Sequence, residues 1–242
     1  MKPNAMLVCL LLWAAIAFVS PSVIRGQADR HVTEPPFPLI AGSHWIHEGT
    51  VRWASPGSSD VREDKIRWKM EVLETLDRQS VVAARVKGHP MDLAFYEDGR
   101  KPGEYLIVQV WGDRYYLLQG NRVSEVLARL RAEPAATTHL VRESELFLEL
   151  PLVEGRSFGE AEHLTRLDRF YVWVVEKFEQ AALHEVRGVP SQPVQVWTVS
   201  HRSIGGMQRY EFAAGIGLTR FQYRHQGTVS EFDLRLVEYH KP

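Results

Sequence analysis

Cysteine is almost absent from this sequence. The chain has 242 residues and one cysteine, Cys9, and Cys9 lies in an N-terminal segment that we expect to be removed. A chain without paired thiols cannot be held together by intramolecular disulfides, and one without any thiol cannot use cysteine catalysis. Its stability must therefore come from packing.

An excess of either charge is also missing. The whole chain has 29 Lys and Arg residues against 30 Asp and Glu residues, and removal of Lys2 and Arg25 with the first 28 residues leaves 27 against 30. Proteins that bind nucleic acid usually present clustered basic residues. The composition disfavours nucleic acid as a partner, and no polybasic run indicates contact with anionic lipid.

Long hydrophobic runs are confined to the N-terminus. Lys2 precedes an apolar run at residues 6–19, and Gly26-Gln27-Ala28 supplies the small residues that signal peptidase prefers. We predict cleavage after Ala28, which leaves 214 of the 242 residues in the periplasm or outside the cell. No later segment approaches roughly 18 to 20 apolar residues, so no membrane span is expected after cleavage. An uncleaved N-terminal anchor is the alternative.

Familiar catalytic signatures are missing as well. The sequence has no G-x-S-x-G element, no P-loop and no G-x-G-x-x-G fingerprint. "HRSIGG", which contains Ser203, resembles an active-site turn only superficially, and "GIG" before Leu218 lacks a strand-to-helix context. Serine hydrolases and nucleotide enzymes are therefore disfavoured, and we predict no cofactor.

What the sequence does have is a period of two. After a proline-rich lead-in at residues 29–38, apolar and polar residues alternate over 45–53 and, in "DKIRWKMEV", over 64–72. Such alternation is typical of strands with one buried and one solvent-facing side. In residues 45–53 it places the odd-numbered side chains on one face and the even-numbered ones on the other.

Further elements follow the same reasoning. Asn121 can cap one helix over residues 123–131, because the apolar residues of that segment fall on a single helical face. Residues 170–178, "FYVWVVEKF", are apolar on both faces, which predicts either a central strand covered on both sides or an especially aromatic interface. Additional strands are predicted at residues 80–86, 105–111, 114–118 and 145–150.

The C-terminal part predicts a four-stranded antiparallel meander. Gly205-Gly206 permits a tight hairpin turn between the first two strands. Before Gly227 the apolar residues stand at odd-numbered positions, such as Phe221 and Tyr223, and after it at even-numbered ones, such as Phe232 and Leu234. We interpret this change as a β-bulge at Gly227. The four strands are predicted at residues 194–200, 207–212, 218–224 and 229–239.

The predicted fold class is therefore mainly β (α+β): an antiparallel, strongly twisted sheet or incomplete barrel with one or two short helices. "PLIAGSHW" is echoed by "PLVEGRSF" 113 residues later, and "HEGTV" by "HQGTV" 178 residues later. A tandem duplication would give one offset rather than two. We predict a single β-rich domain at residues 29–242, with two related β units, about 37–131 and 150–242, as the alternative.

Two histidine arrangements are candidates for chemistry. His44 and His47 flank a tryptophan in "HWIHE", but residues three apart on a strand point to opposite faces, so no metal site is predicted. If the segments that contain His47 and His225 were neighbouring strands, these rings could face each other. Glu48 or Glu231 would then orient them for acid–base chemistry in a hydrolase.

Aromatic residues are the candidates for binding. Rings on an open sheet face can hold an apolar or partly polar ligand, whereas buried rings are simply core. Four tryptophans lie on predicted strands and could contact such a ligand: Trp68, Trp111, Trp173 and Trp197.

The beginning and end of the predicted mature chain resemble a group of exported bacterial proteins of unknown function. The resemblance rests on "PLIAGSHWIHEGTV" and on "YEFAAGIGLTRFQYRHQGTVSEFDLRLVEY". These stretches are similar to a P-L-x-x-G-x-x-W start and a terminal F-x-P-G-x-G-L turn within a β meander, although Ala213-Ala214 stands where the pattern often has proline. The resemblance covers about fifty residues. It implies an envelope or secreted β-rich protein and assigns no catalytic residue.

We therefore predict a secreted or periplasmic protein without catalytic activity that binds an unknown small or apolar ligand, or an envelope protein. A hydrolase that uses His47 and His225 is the alternative.

Overall fold

The computed structural model describes residues 36–54, 60–78, 80–132 and 144–242. The predicted signal segment and its cleavage site lie outside these residues. The described chain forms twelve β-strands, α-helix α1 (Arg122–Ala132) and a short 3₁₀ helix (Pro90–Leu93). The strands are β1 (His44–Ala54), β2 (Val61–Arg78), β3 (Val81–Lys87), β4 (Glu104–Val110), β5 (Arg114–Gln119), β6 (Glu145–Glu149), β7 (Ser157–Gly159), β8 (Val172–Ala181), β9 (Val194–Ser203), β10 (Gly206–Ala213), β11 (Gly217–His225) and β12 (Ser230–His240).

All twelve strands belong to one antiparallel sheet. Their order is β6-β5-β4-β3-β2-β1-β12-β11-β10-β9-β8-β7. The two outermost strands approach each other, because Nε1 of Trp173 on β8 donates to the carbonyl oxygen of Leu146 on β6 at 2.9 Å. Arg156, just before β7, pairs with Glu149 of β6. The sheet is thus a nearly closed barrel, which confirms the predicted fold class.

The period of two correctly predicts the faces of β1. Trp45, His47, Val51 and Trp53 are buried inside the barrel, whereas Glu48 is exposed on the other face. β1 occupies the middle of the strand order, with β2 on one side and β12 on the other. Its alternation therefore decides which side chains fill the interior.

Helix α1 packs on the outside of the barrel. The four apolar residues that share one helical face are buried against outward-facing side chains of β3, β4 and β5. They are Val123, Val126, Leu127 and Leu130. This confirms the predicted helix. No helix among the described residues combines the length and apolar character needed to cross a membrane.

Chain segments close both ends of the barrel. At one end, here called the lead-in end, the ring of Phe37 stacks on Trp45 at a centroid distance of 5.4 Å and meets Phe147 and Phe212 edge-on. At the opposite end, called the plug end, residues 88–103 carry the 3₁₀ helix inward and bury Leu93 completely. We refer to residues 88–103 as the plug loop.

The β9–β12 meander is present as predicted. Two other predictions for this part of the chain, one for β8 and one for Gly227, differ from the structure. β8 is the second strand from an edge rather than a central one, although Val172 to Val175 are all buried. Gly227 lies in the turn between β11 and β12, with φ of 96°, and is not a bulge. The change from odd to even apolar positions follows from the pairing of the two hairpin strands, because odd-numbered Tyr223 lies directly opposite even-numbered Phe232.

The sequence echoes occupy different structures. "HEGTV" lies within β1, whereas "HQGTV" forms the end of β11 and the following turn. One continuous sheet spans both of the β units that a duplication would have produced. The single domain stays the prediction and the duplication its alternative.

Candidate functional site

His47 is a buried residue of the barrel wall. Its side chain is inaccessible to solvent, and Nε2 lies 2.9 Å from the carbonyl oxygen of Leu218 on β11. Because a carbonyl can only accept, Nε2 carries the proton and Nδ1 presents a lone pair. Burial lowers the pKa of His47 to about 4, against the opposing effect of the Leu218 hydrogen bond, so the ring is neutral at pH 7.

The structure does not bring His225 to His47. His225 ends β11 at the plug end, where its ring meets Phe95 at 4.8 Å. Leu218, which contacts His47, lies seven residues earlier on the same strand. At about 3.3 Å per residue, roughly 23 Å of strand separates Leu218 from His225, so His225 lies far along β11 from the point that His47 contacts.

The two glutamates of the hydrolase hypothesis lie on the outer face. Glu48 pairs with Arg67, and Glu231 pairs with Arg52 and Arg224. Neither carboxylate faces the barrel interior, where His47 lies. The His/Glu constellation of the alternative hydrolase hypothesis is therefore not assembled in this fold.

His44 and His47 lie on opposite faces of β1, as the alternation predicts. The ring of His44 stacks on His240 of β12 at 4.9 Å, while His47 is buried. The two rings cannot converge on one ion. Among the described residues, potential metal ligands do gather on the exposed loop after β7, where Nε2 of His163 lies 3.3 Å from Glu162 and 3.8 Å from Glu160.

His89 is a buried polar residue that sequence reasoning missed. It begins the 3₁₀ helix of the plug loop, and its Nδ1 accepts a hydrogen bond from the backbone N–H of Met91 at 3.3 Å. Its ring packs against Tyr105 and Phe221, at 5.1 and 6.2 Å. "GHP" is a local signal for a turn that a histidine caps, but nothing local shows that the turn enters a barrel.

Asp92, in the same 3₁₀ helix, anchors the plug loop to β4. Its carboxylate accepts hydrogen bonds from the backbone N–H of Gly103 at 2.9 Å and from the hydroxyl of Tyr105 at 2.8 Å. Burial raises the pKa of Asp92, although both hydrogen bonds oppose the shift. These contacts fix the loop in place.

Three of the four candidate tryptophans belong to the core. Trp68, Trp173 and Trp197 are at most 5% exposed. The indole N–H of Trp68 donates to the carbonyl oxygen of Gly88 at 2.8 Å, and Trp197 packs on Phe178 at 5.5 Å. Buried rings with these partners have no free face for a ligand.

Trp111 differs from the other three. It lies in the turn between β4 and β5 at the lead-in end, is 60% exposed and has a positive φ of 53°. The guanidinium of Arg114 lies 6.0 Å from its ring centroid. A large aromatic residue held exposed in an uncommon backbone conformation is a candidate for ligand contact.

Two residues before Trp111, Gln109 lines a cleft at the mouth of the barrel. The cleft has a volume of about 430 Å³ and opens between the lead-in segment and the ends of β2, β3 and β4. This volume falls within the usual range for small-molecule sites, and barrel mouths are common positions for them. Its lining consists of residues 37–41, Thr75, Asp77, Val82, Gln109, Gly215 and Lys241. We call it the lead-in cleft.

The lining of the lead-in cleft includes both apolar and polar side chains. Leu39 and Val82 supply apolar surface, and Ile40 is 41% exposed. The hydroxyl of Thr75 is occupied, because it donates to the carbonyl oxygen of Leu39 at 2.7 Å. Within the described part of the chain, Asp77 and Lys241 form no side-chain ion pair, so both charges remain available to a ligand.

A second cleft, of about 310 Å³, lies on the outer face of β10–β12 and β1. Its charges are already paired with one another. Arg52 and Arg224 share Glu231, and Arg220 binds both carboxylate oxygens of Asp233, at 2.9 and 2.6 Å. The lead-in cleft therefore has the greater capacity to bind a ligand.

Comparison with known proteins gives no family assignment. No protein-family model matches the chain, and no curated protein matches it. One similar solved structure is a Bacteroides fragilis protein described as exported and as having a YmcC-like fold, with 11% identity and a TM-score of 0.42 over 85% of this chain and 98% of that one. Another, described as a lipoprotein of Parabacteroides distasonis, has 12% identity and a TM-score of 0.40 over 86% of this chain and 99% of that one.

Proposed function

We propose that this protein is exported and binds a small amphipathic molecule in the lead-in cleft without chemically changing it. The observation that carries the proposal is the cleft itself: about 430 Å³ at a barrel mouth, lined by apolar side chains and by two charged ones, Asp77 and Lys241. Export rests on the N-terminal sequence, which has the composition of a signal peptide.

The chemistry of the cleft favours a particular kind of ligand. Leu39, Ile40 and Val82 offer apolar contact to a chain or a small ring. Asp77 and Lys241 offer one negative and one positive partner for a polar head group. Trp111, two residues along the chain from Gln109, is an exposed aromatic side chain in the turn at the same end of the barrel. A molecule with an apolar body and a single polar end matches this arrangement best.

Binding can be tested by calorimetric titration of the chain starting at residue 29 with decanoate and with decylamine. The two probes share an apolar chain and differ in the charge of the head. Tighter binding of decanoate would assign the head group to Lys241, and tighter binding of decylamine would assign it to Asp77.

The variant Ile40→Gln tests whether the cleft is the binding site. Ile40 is 41% exposed, and a ligand in the cleft would cover that surface. Loss of this apolar contact should cost about 1–2 kcal/mol, so affinity should fall roughly tenfold.

Ile204→Gln is the matched control. Ile204 is 73% exposed in the β9–β10 turn at the plug end, far from the lead-in cleft. It should leave the affinity for either probe unchanged. Equal losses in the two variants, or no binding of either probe by the native chain, would contradict the proposal.

A further inference from the structure

The plug loop brings a second buried histidine into the barrel. His89 is 1% exposed and lies beside Tyr105 of β4 and Phe221 of β11. His47 of β1 is close enough for its charge to act on His89. Neither histidine takes part in the proposed ligand binding, so their burial calls for another explanation.

Within the part of the chain that the structure describes, neither ring has a hydrogen-bond acceptor beside Nδ1, the atom at which an additional proton would bind. Nδ1 of His89 is occupied as the acceptor for Met91 N–H. Nδ1 of His47 is buried and has no hydrogen-bond partner among the described residues. Protonation of either ring would place a positive charge in a mainly aromatic interior, next to a second ring that can also become charged.

Of the titratable groups beside His89 in the described chain, none forms a hydrogen bond or an ion pair with its ring. The Asp92 carboxylate is engaged by Gly103 and by the hydroxyl of Tyr105. Tyr105 itself contributes an aromatic face and, with its pKa raised by burial, stays neutral. The second histidine, His47, opposes protonation of His89.

The plug loop is built so that it can leave the barrel as a unit. Glycines stand at both of its ends, and the N–H of Gly88 donates to the carbonyl oxygen of Gly103 at 2.8 Å, which closes the base of the loop. The tip is held by the N–H of Phe95, which donates to Oγ of Ser230 at 2.8 Å, and by edge contact between Tyr96 and Trp53 at 4.8 Å. The hydroxyl of Tyr105 also donates to Asp92, and the indole N–H of Trp68 to the carbonyl oxygen of Gly88. No residue of the loop belongs to a strand, however, whereas His47 lies on β1, which is paired on both sides.

We propose that the plug loop is an acid-released closure, in which protonation of His89 drives residues 88–103 out of the plug end while the strands remain paired. His47 is tied to β11 and could reach water only if the wall opened, whereas His89 is on a loop. Release of the loop is therefore the easier way to hydrate the charge.

The direction of the pH dependence follows from the ring's burial. Burial, reinforced by His47, lowers the pKa of His89 to about 3, whereas an exposed ring titrates near 6.5. The open state takes up the proton first as the pH falls below 6.5. The closed state therefore keeps its full stability relative to the open state above that value and loses it progressively toward pH 3. At pH 5 the opening equilibrium should be about 30-fold more favourable than at pH 8.

Hydrogen exchange of the chain starting at residue 29, measured between pH 8 and pH 4.5 and corrected for intrinsic rates, tests the proposal. Protection of amides in residues 88–103 should fall about 30-fold by pH 5, while β10 and β11 stay protected. Uniform loss across all strands would overturn the proposal, as would unchanged protection of the loop.

The variant His89→Asn separates the two roles of His89, which are protonation of its ring and acceptance of the Met91 N–H hydrogen bond. Asn can accept the Met91 hydrogen bond in place of Nδ1 but cannot be protonated. This variant should keep its loop protection within threefold across the pH range. His184→Gln, a change at an exposed histidine, should behave like the native chain. Acid release that persists in His89→Asn would overturn the proposal.

If His89→Asn did not fold, NMR titration of the native chain would decide. The ring should stay neutral while residues 88–103 are closed, so its midpoint should lie well below 6.5. A His89 ring that becomes protonated near pH 6.5 while residues 88–103 keep their protection would contradict the mechanism.

Discussion

At the scale of single residues, the two glycines in the echoed motifs have different roles. Gly49 in "HEGTV" lies within β1, where a Cβ would overlap the carbonyl oxygen of Asp233 on β12. Gly227 in "HQGTV" has φ of 96° in a turn, and nothing lies within 4 Å of its Cβ position. The first glycine is needed for close strand approach and the second for backbone conformation.

Alanine substitutions should separate these roles. Gly49→Ala should destabilise the protein by about 3 kcal/mol or more, because the neighbouring backbone must move. Gly227→Ala should cost only about 1–2 kcal/mol, the strain of a left-handed conformation. Urea unfolding of both variants provides the comparison. Equal losses of unfolding free energy in the two variants would show that the β12 backbone opposite Gly49 can move aside at little cost.

The alternation of apolar and polar residues largely predicted which side chains are buried, but it did not predict their hydrogen-bond partners. The period of two places Trp45 and His47 on the buried face of β1. The carbonyl groups that receive their hydrogen bonds belong to Ile216 and Leu218, each 171 residues away. No local pattern encodes such a distance, and the proposed pairing of His47 with His225 failed for this reason.

At the scale of elements, α1 acts as a cover for one region of the barrel. It shields the outward-facing side chains of β3, β4 and β5, which include Leu106, Val108 and Tyr116. Without the helix this surface would be an exposed apolar patch. The stability of these strands therefore depends on the contact with α1.

Leu127→Ala measures that contact. Leu127 is 3% exposed at the centre of the buried helical face, and its truncation should cost about 2–5 kcal/mol. Ser124→Ala changes an exposed position of the same helix and should alter stability by less than about 0.5 kcal/mol. Chemical unfolding followed by circular dichroism distinguishes the two. A similar small effect in both variants would show that α1 is loosely attached.

Elements with strong local signals were predicted, and those set by distant contacts were not. The β9–β10 hairpin and α1 follow from turn glycines and from helical periodicity. The place of β8 near an edge depends on how the sheet closes, which its apolar sequence does not reveal. The bulge expected at Gly227 was wrong because an ordinary hairpin also reverses parity.

At the scale of the whole molecule, barrel closure creates the site that sequence reasoning could not find. The lead-in cleft combines the chain near its beginning, three strand ends, the β10–β11 turn and Lys241. Each contributor has an ordinary local sequence. Of the four tryptophans proposed for binding, Trp111 is the one that the fold leaves exposed, at the same barrel end.

The most direct test of the account is to map the position of a bound amphiphile by NMR. Decanoate and decylamine are titrated separately into isotope-labelled protein, and the probe that binds more tightly should shift the amide signals of residues 37–41, Thr75, Asp77, Val82 and Gln109, with little change at the plug end. Shifts confined to the plug end or to the outer face of β10–β12, or none at all, would contradict the claim that the lead-in cleft is where this protein binds its ligand.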